Sequence, residues 1–251
     1  MTKCSCVFGL SRFEKASERS VCSCAILSLK GENITSIGDL SHARDLVGGT
    51  DCMYFICESS LLEEYLCEDD IVDSSHPLVQ ETIRQLYTAS DSETERVRRT
   101  FEFVRDSIHH SWDIQSPHVT CKASEVLSYR EGLCYAKSHL LAALLRAQRI
   151  PTGFCYQRVT LGESAEMGHV LHGLNAVYLP SAARWVRLDA RGNKPGIQAE
   201  FSIEEERVAY VMRPELGEID YPTIYAQPHP KVVKALQGYI DGLHLSLPDQ
   251  L

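Results

Sequence analysis

The stretch REGLCYAKSHLLAALLRAQRIPTG, Arg130 to Gly153, sets a cysteine two places behind a glycine, at the mouth of a strongly apolar segment. Leu140, Leu141, Leu144 and Leu145 recur at helical spacing and predict a helix from about Cys134 to Gln148. Pro151 and Gly153 end it. Gly132 permits a tight backbone turn into the helix, which puts Cys134 in or next to its first turn. Unpaired backbone N–H groups there favour a negative sulfur.

Downstream the apolar period changes to two. Phe154–Val159, Leu171–Leu179 and Arg184–Asp189 read as strands, and the short connection Pro180–Ala183 predicts an antiparallel hairpin between the last two. Upstream the pattern is helical. Ser74-Ser75-His76-Pro77 opens one helix, with Val79, Ile83 and Leu86 along it. Ser92 with Glu95 opens another, with Val97, Phe101, Val104 and Ile108 as its stripe. Lys122–Ser128 reads as a short helix. Pro230 starts an amphipathic one carrying Val232, Val233, Leu236 and Ile240. Helices followed by a run of strands predict an α+β fold rather than a doubly wound parallel sheet. Residues 1–65 carry weaker signals, with possible strands at Val21–Leu27 and Asp51–Cys57. They read as an N-terminal appendage to a domain over 66–251.

The chain has 251 residues and a net charge of −9, enough length for a sizeable core and the wrong sign for a phosphate-backbone binder. Nucleic acid is therefore not an expected partner. No apolar run suits a signal peptide or a membrane span, so the expected location is the cytoplasm, with no membrane partner. Ten cysteines then read as free thiols, most of them small buried hydrophobes. Cys4-x-Cys6 and Cys22-x-Cys24 invite a zinc reading, but structural zinc sites use longer gaps. No metal and no cofactor is expected.

The helix mouth alone does not make Cys134 a nucleophile. A helix end contributes roughly 0.3–1 kcal/mol at an exposed site, less than the ~1.4 kcal/mol that shifts a proton equilibrium tenfold. A base must stand beside it, and His169 and His172 lie on or just before a downstream strand. In the predicted hairpin, His172 and Asp189 fall near one another across the ladder and share a face, provided the register holds parity. A carboxylate there fixes the imidazole tautomer and steadies the imidazolium. The residues alone thus suggest a Cys134–His172–Asp189 set, with His169 fitting less well.

Other candidates admit two readings each. Arg184, Arg187, Arg191 and Lys194 form a basic cluster that suits either an anion clamp or pairing with the chain's many acids. Asn193 suits substrate orientation or a turn cap. Trp112 offers an indole N–H donor to an oxyanion, against the plainer role of an amphipathic core residue. His169 suits a substrate contact or a loop position, and His139 a structural one.

Gly132-Leu133-Cys134, Arg146, Ile150-Pro151-Thr152-Gly153, His172 to Pro180 and Trp185-Val186-Arg187-Leu188-Asp189 follow one another in an order that resembles the transglutaminase-like superfamily, whose core is papain-like. Cys134 to Leu141 and Asp189 to Gly196 are similar to the bacterial-type transglutaminase-like cysteine proteases. The resemblance spans roughly Glu68 to Ile240. It implies a nucleophile helix packed on an antiparallel sheet and a Cys, His, Asp triad at Cys134, His172 and Asp189. Two departures stand out. Ala190-Arg191 replaces the common Pro-Thr after the aspartate, and Leu174 stands where many members carry Trp. Both argue against a protein cross-linker, and no EF-hand-type loop suggests calcium control. The implied activity is acyl transfer from an amide, ester or thioester of a peptide, a small molecule or a carrier-bound acyl group. Water as acceptor makes a hydrolase (peptidase or deamidase), and an amine makes an amide-forming acyltransferase. A non-catalytic binding module retaining the fold is the reading from another class.

Overall fold

The computed structural model describes residues 55–238 and 247–251. Its helices are α1 (Pro77–Leu86), α2 (Glu93–Ser107), α3 (Ala123–Tyr129), α4 (Cys134–Arg146) and α5 (Pro230–Gln237). Its strands are β1 (Ile56–Cys57), β2 (His109–His110), β3 (Glu131–Gly132), β4 (Thr152–Thr160), β5 (His169–Leu179), β6 (Arg184–Leu188), β7 (Ile219–Asp220) and β8 (Thr223–Ile224). The main sheet runs β6-β5-β4-β7, antiparallel throughout. The fold is α+β, with helices first and sheet second. The expected strand at Val21–Leu27, both Cys-x-Cys pairs and Ile240 lie outside the described residues.

The helix starts follow their local chemistry. The His76 ring accepts a hydrogen bond from the Leu78 N–H ahead of α1, with Pro77 in the first turn. The Ser92 hydroxyl accepts from the Glu95 N–H and caps α2. The reciprocal half of that capping box does not form, because the Glu95 carboxylate is held by Arg98 and Arg99.

Helix α4 is the axis of the molecule. Helices α1, α2 and α3 pack on it, and so do β4 and β5. All thirteen of its residues are therefore buried, where the sequence predicted a single apolar face. Its polar side chains are satisfied internally, as burial demands. The Ser138 hydroxyl donates to the Cys134 carbonyl, and His139 Nδ1 donates to the Cys121 carbonyl. Lys137 Nζ donates to the Ile108 and Arg105 carbonyls. Arg146 donates to the carbonyls of Thr152, Cys67 and Ala226, which ties the C-terminal end of α4 to three segments.

Residues 55–65, read from sequence with the appendage, pack on the sheet. β1 pairs in parallel with β8. Tyr65 is fully buried, lies edge-on to Trp185 at 4.9 Å between ring centroids, and donates its hydroxyl proton to the Ile224 carbonyl. Among the described residues, no helix is long and apolar enough to cross a membrane.

Candidate active site

Three local features bring the candidate residues together. The first is the approach to α4. β3 pairs in parallel with β2, His110 opposite Gly132, and the chain enters α4 directly after Leu133. Gly132 is there for space rather than for an unusual dihedral. A Cβ at this position would stand 3.0 Å from Thr120 Oγ1 and 3.1 Å from the Ala136 Cβ. Leu133 offers no side-chain cap, and the first turn of α4 holds no acidic residue. Nothing in that turn therefore competes with a negative sulfur or oxyanion for its N–H groups.

The second feature is Gly173. A Cβ here would lie 2.8 Å from Tyr135 Cδ1 and 3.4 Å from the Tyr135 Cα. The missing side chain lets β5 close against the first turn of α4, and the Tyr135 hydroxyl donates to the Leu171 carbonyl. This contact draws His172 to the helix end that carries Cys134.

The third is the hairpin register. Asn175 lies opposite Leu188. Asp189 therefore falls just past the ladder, on the same face as His172 and diagonal to it. His172 Nε2 is 2.7 Å from Asp189 Oδ2, and both side chains are buried. Two backbone donors also reach Asp189, the Ala209 N–H on Oδ2 and the Arg191 N–H on Oδ1. The face predicted from sequence parity is the one observed, two residues out of direct opposition.

The electrostatics follow. Burial disfavours a charged His172, but the Asp189 charge and hydrogen bond, together with the hydrogen bond and charge of Cys134, outweigh it and push the imidazole up to about 10. Burial likewise opposes the Asp189 carboxylate, yet the His172 charge and the two backbone donors hold it below its ordinary range. With Nε2 engaged by Asp189, Nδ1 is the ring nitrogen left for Cys134. Cys134 itself is 8% exposed. The Tyr210 ring meets the His172 ring edge-on, 4.8 Å between centroids.

Three members of the basic cluster, Arg187, Arg191 and Lys194, are paired with carboxylates. Arg187 is fully buried, and its guanidinium forks onto both Glu206 and Asp220. It shares a face with Asp189 as expected, but its side chain is enclosed by those carboxylates and the Phe55 ring. Arg191 makes a bidentate pair with Asp113, and Lys194 binds the same carboxylate. Asn193 clasps both the N–H and the C=O of Ala199, the turn-capping alternative. Trp112 is half exposed in the turn after β2, neither a core residue nor bonded through its indole in any contact described. His169 is held away from the pair by the Leu216 carbonyl and Arg158. His139, its imidazole driven down to about 4 by burial, is structural.

Tyr210, Gln157 and His110 were not singled out by sequence. Tyr210 lies in irregular chain between β6 and β7, where no periodicity flags it. Gln157 is directly opposite His172 on β4, a relation readable only once the register is known. His110 is mostly buried on β2, and burial together with Arg191 pushes it down to about 3. Among the described residues, no group of histidine, cysteine and acidic side chains is arranged to hold a metal.

A family model described as the transglutaminase-like superfamily matches residues 80–190, which contain Cys134, His172 and Asp189. No curated protein matches the chain. Two solved structures are similar to parts of it. One, from Cytophaga hutchinsonii and described as a "Putative Cysteine Protease", is 16% identical, with a TM-score of 0.42 over 53% of this chain and 43% of that one. The other, described as a TGase, is also 16% identical, with a TM-score of 0.34 over 61% of this chain and 42% of that one. The matched part of the chain thus spans less than half the length of either. The likeness of the chain to the transglutaminase-like superfamily thus rests on the segment 80–190.

Proposed function

We propose that the protein is a cysteine-nucleophile acyl-transfer enzyme that hydrolyses an amide, ester or thioester. The observation that carries this reading is the buried His172–Asp189 pair, whose free ring nitrogen is left for a cysteine in the uncapped first turn of α4. His172 takes the Cys134 proton, which forms a thiolate–imidazolium pair. The sulfur attacks the substrate carbonyl carbon, and the carbonyl π electrons move onto oxygen. The Cys134 N–H donates to that oxyanion. His172 then passes its proton to the leaving nitrogen, oxygen or sulfur as the bond to carbon breaks, which leaves a thioester on Cys134. Neutral His172 next takes a proton from water as the water oxygen attacks the thioester. The tetrahedral adduct collapses to release the acid and restore the thiolate–imidazolium pair. Throughout, Asp189 holds the ring and balances its charge.

The test is acylation by p-nitrophenyl acetate, followed by mass mapping. The expected result is a burst of nitrophenolate stoichiometric with enzyme and an acetyl group on the Cys134 peptide that decays in water. The His172→Ala variant should show no burst. An acetyl group that persists in water but transfers to added primary amines would replace the hydrolase by an amide-forming acyltransferase. Absence of any acetyl group on Cys134 would exclude both.

A further inference from the structure

Beside the His172–Asp189 pair lies a cavity of about 550 Å³, lined among others by Gln157, Glu200, Glu206, Arg207, Tyr210 and Asp220. It is coupled to the candidate site twice over. Tyr210 packs its ring on His172, and Gln157 is the cross-strand partner of His172. Asp220 in turn stands opposite Gln157 on β7. The cavity therefore occupies the same face of the sheet as the His172 side chain.

Its lining is rich in acceptors. Gln157 is 1% exposed, donates Nε2–H to Asp220 Oδ2 at 3.1 Å, and leaves its Oε1 buried without a hydrogen-bond partner. A buried carbonyl oxygen of this kind costs free energy until a donor reaches it. Glu206 and Asp220 are held in fixed orientation by the single Arg187 guanidinium behind them. One positive charge faces two negative ones, so this wall carries a net charge of −1. A carboxylate accepts at about four positions, and the Arg187 fork occupies only part of that capacity. Arg207, also on the lining, pairs with Glu200 and Glu205. These are exposed ion pairs of little net strength, free to rearrange around an incoming cation.

We infer that this cavity is a specificity subsite for the substrate of Cys134, and that it takes a cationic group with several N–H donors, a primary ammonium or a guanidinium. The inference rests on the acyl-transfer reading above and adds the chemical class of the substrate's side group. The orphaned Gln157 oxygen supplies the acceptor, and the Glu206–Asp220 wall supplies the charge.

The experiment uses three alkylating probes with one reactive group and different tails. They are iodoacetamide, N-(2-aminoethyl)iodoacetamide with an ammonium tail, and N-(carboxymethyl)iodoacetamide with a carboxylate tail. Second-order rate constants for Cys134 are read by peptide mapping at fixed ionic strength, for the full chain and for Glu206→Gln and Glu200→Gln. The expected order is ammonium over neutral over carboxylate, with ammonium about tenfold faster than neutral, equivalent to ~1.4 kcal/mol. Within each variant that folds, the ammonium-to-neutral ratio should fall at least about threefold. A ratio near one in the wild type would overturn the inference. So would a ratio retained in both variants, which would assign the preference to the overall charge of −9. Failure of neutral iodoacetamide to select Cys134 over the other cysteines would remove the nucleophile reading itself, and the subsite with it.

Discussion

Replacing Asp189 by asparagine removes one charge and little volume from the centre of the candidate site, and its effect can be worked from the structure. His172 stands at about 10 against an ordinary histidine near 6.5, although burial is the largest single influence on it and acts downward. The difference corresponds to ~5 kcal/mol of preference for the imidazolium, supplied mainly by Asp189. Without that carboxylate, burial prevails and the ring is neutral at pH 7. Cys134 then lacks its counter-cation. Alkylation by iodoacetamide at pH 7 should slow by at least about tenfold, a modest share of the roughly 10²–10⁴-fold that a positioned acid–base group contributes. The assay is the pseudo-first-order rate of Cys134 modification, followed by intact mass and peptide mapping. An Asp189→Asn variant that labels within twofold of the wild type from pH 6 to 8 would refute the claim that the carboxylate sustains the pair.

The stability of the wild type relative to Asp189→Asn should also depend on pH with a definite sign. The raised His172 contributes fully below about 6.5 and loses its contribution as pH rises through about 10; the lowered Asp189 contributes above the ordinary carboxylate range and loses it as pH falls through its folded value. Urea midpoints should therefore differ most between about pH 4 and 6.5, and converge above pH 10. Gly173→Val should place carbon within 3 Å of the Tyr135 ring, cost roughly 1–3 kcal/mol by overpacking, and slow Cys134 labelling by moving His172 off α4. Tm and alkylation rate measured together check it, and an unchanged rate in a folded variant would count against the positioning role. Arg146→Met should remove the guanidinium donors from the carbonyls of Thr152, Cys67 and Ala226 and destabilise the fold by roughly 3–5 kcal/mol, read as a lower urea midpoint at constant slope.

Much of this arrangement is written locally in the chain. Pro77 and Ser92 mark their helices because proline in the first turn and a hydroxyl cap act within four residues. The hairpin parity that joins His172 to Asp189 is equally local, since a short turn fixes which residues share a face. What sequence reading misses depends on distant packing. The apolar stripe of α4 reads as one face, because nothing in Cys134–Arg146 announces that helices and sheet will both pack on it. Lys137, His139 and Arg146 are polar, yet each finds a backbone carbonyl far along the chain, a solution invisible to periodicity. Arg187 shares a face with Asp189, but its carboxylate partners Glu206 and Asp220 come from irregular chain and a two-residue strand. Tyr210 and Ala209, which complete the surroundings of His172 and Asp189, lie in that same irregular segment. Tyr65 reads as part of an appendage because the strand that receives it is more than 150 residues away.

The central claim is that Cys134 and His172 form an activated pair. Brief, limiting iodoacetamide treatment across pH 5–9, with peptide mapping of all ten cysteines in the wild type and in His172→Ala, tests it most directly. The account predicts selective modification of Cys134 that persists toward acidic pH in the wild type and disappears in the variant. Modification of Cys134 no faster than the other nine cysteines, or selectivity that survives the loss of His172, would contradict it.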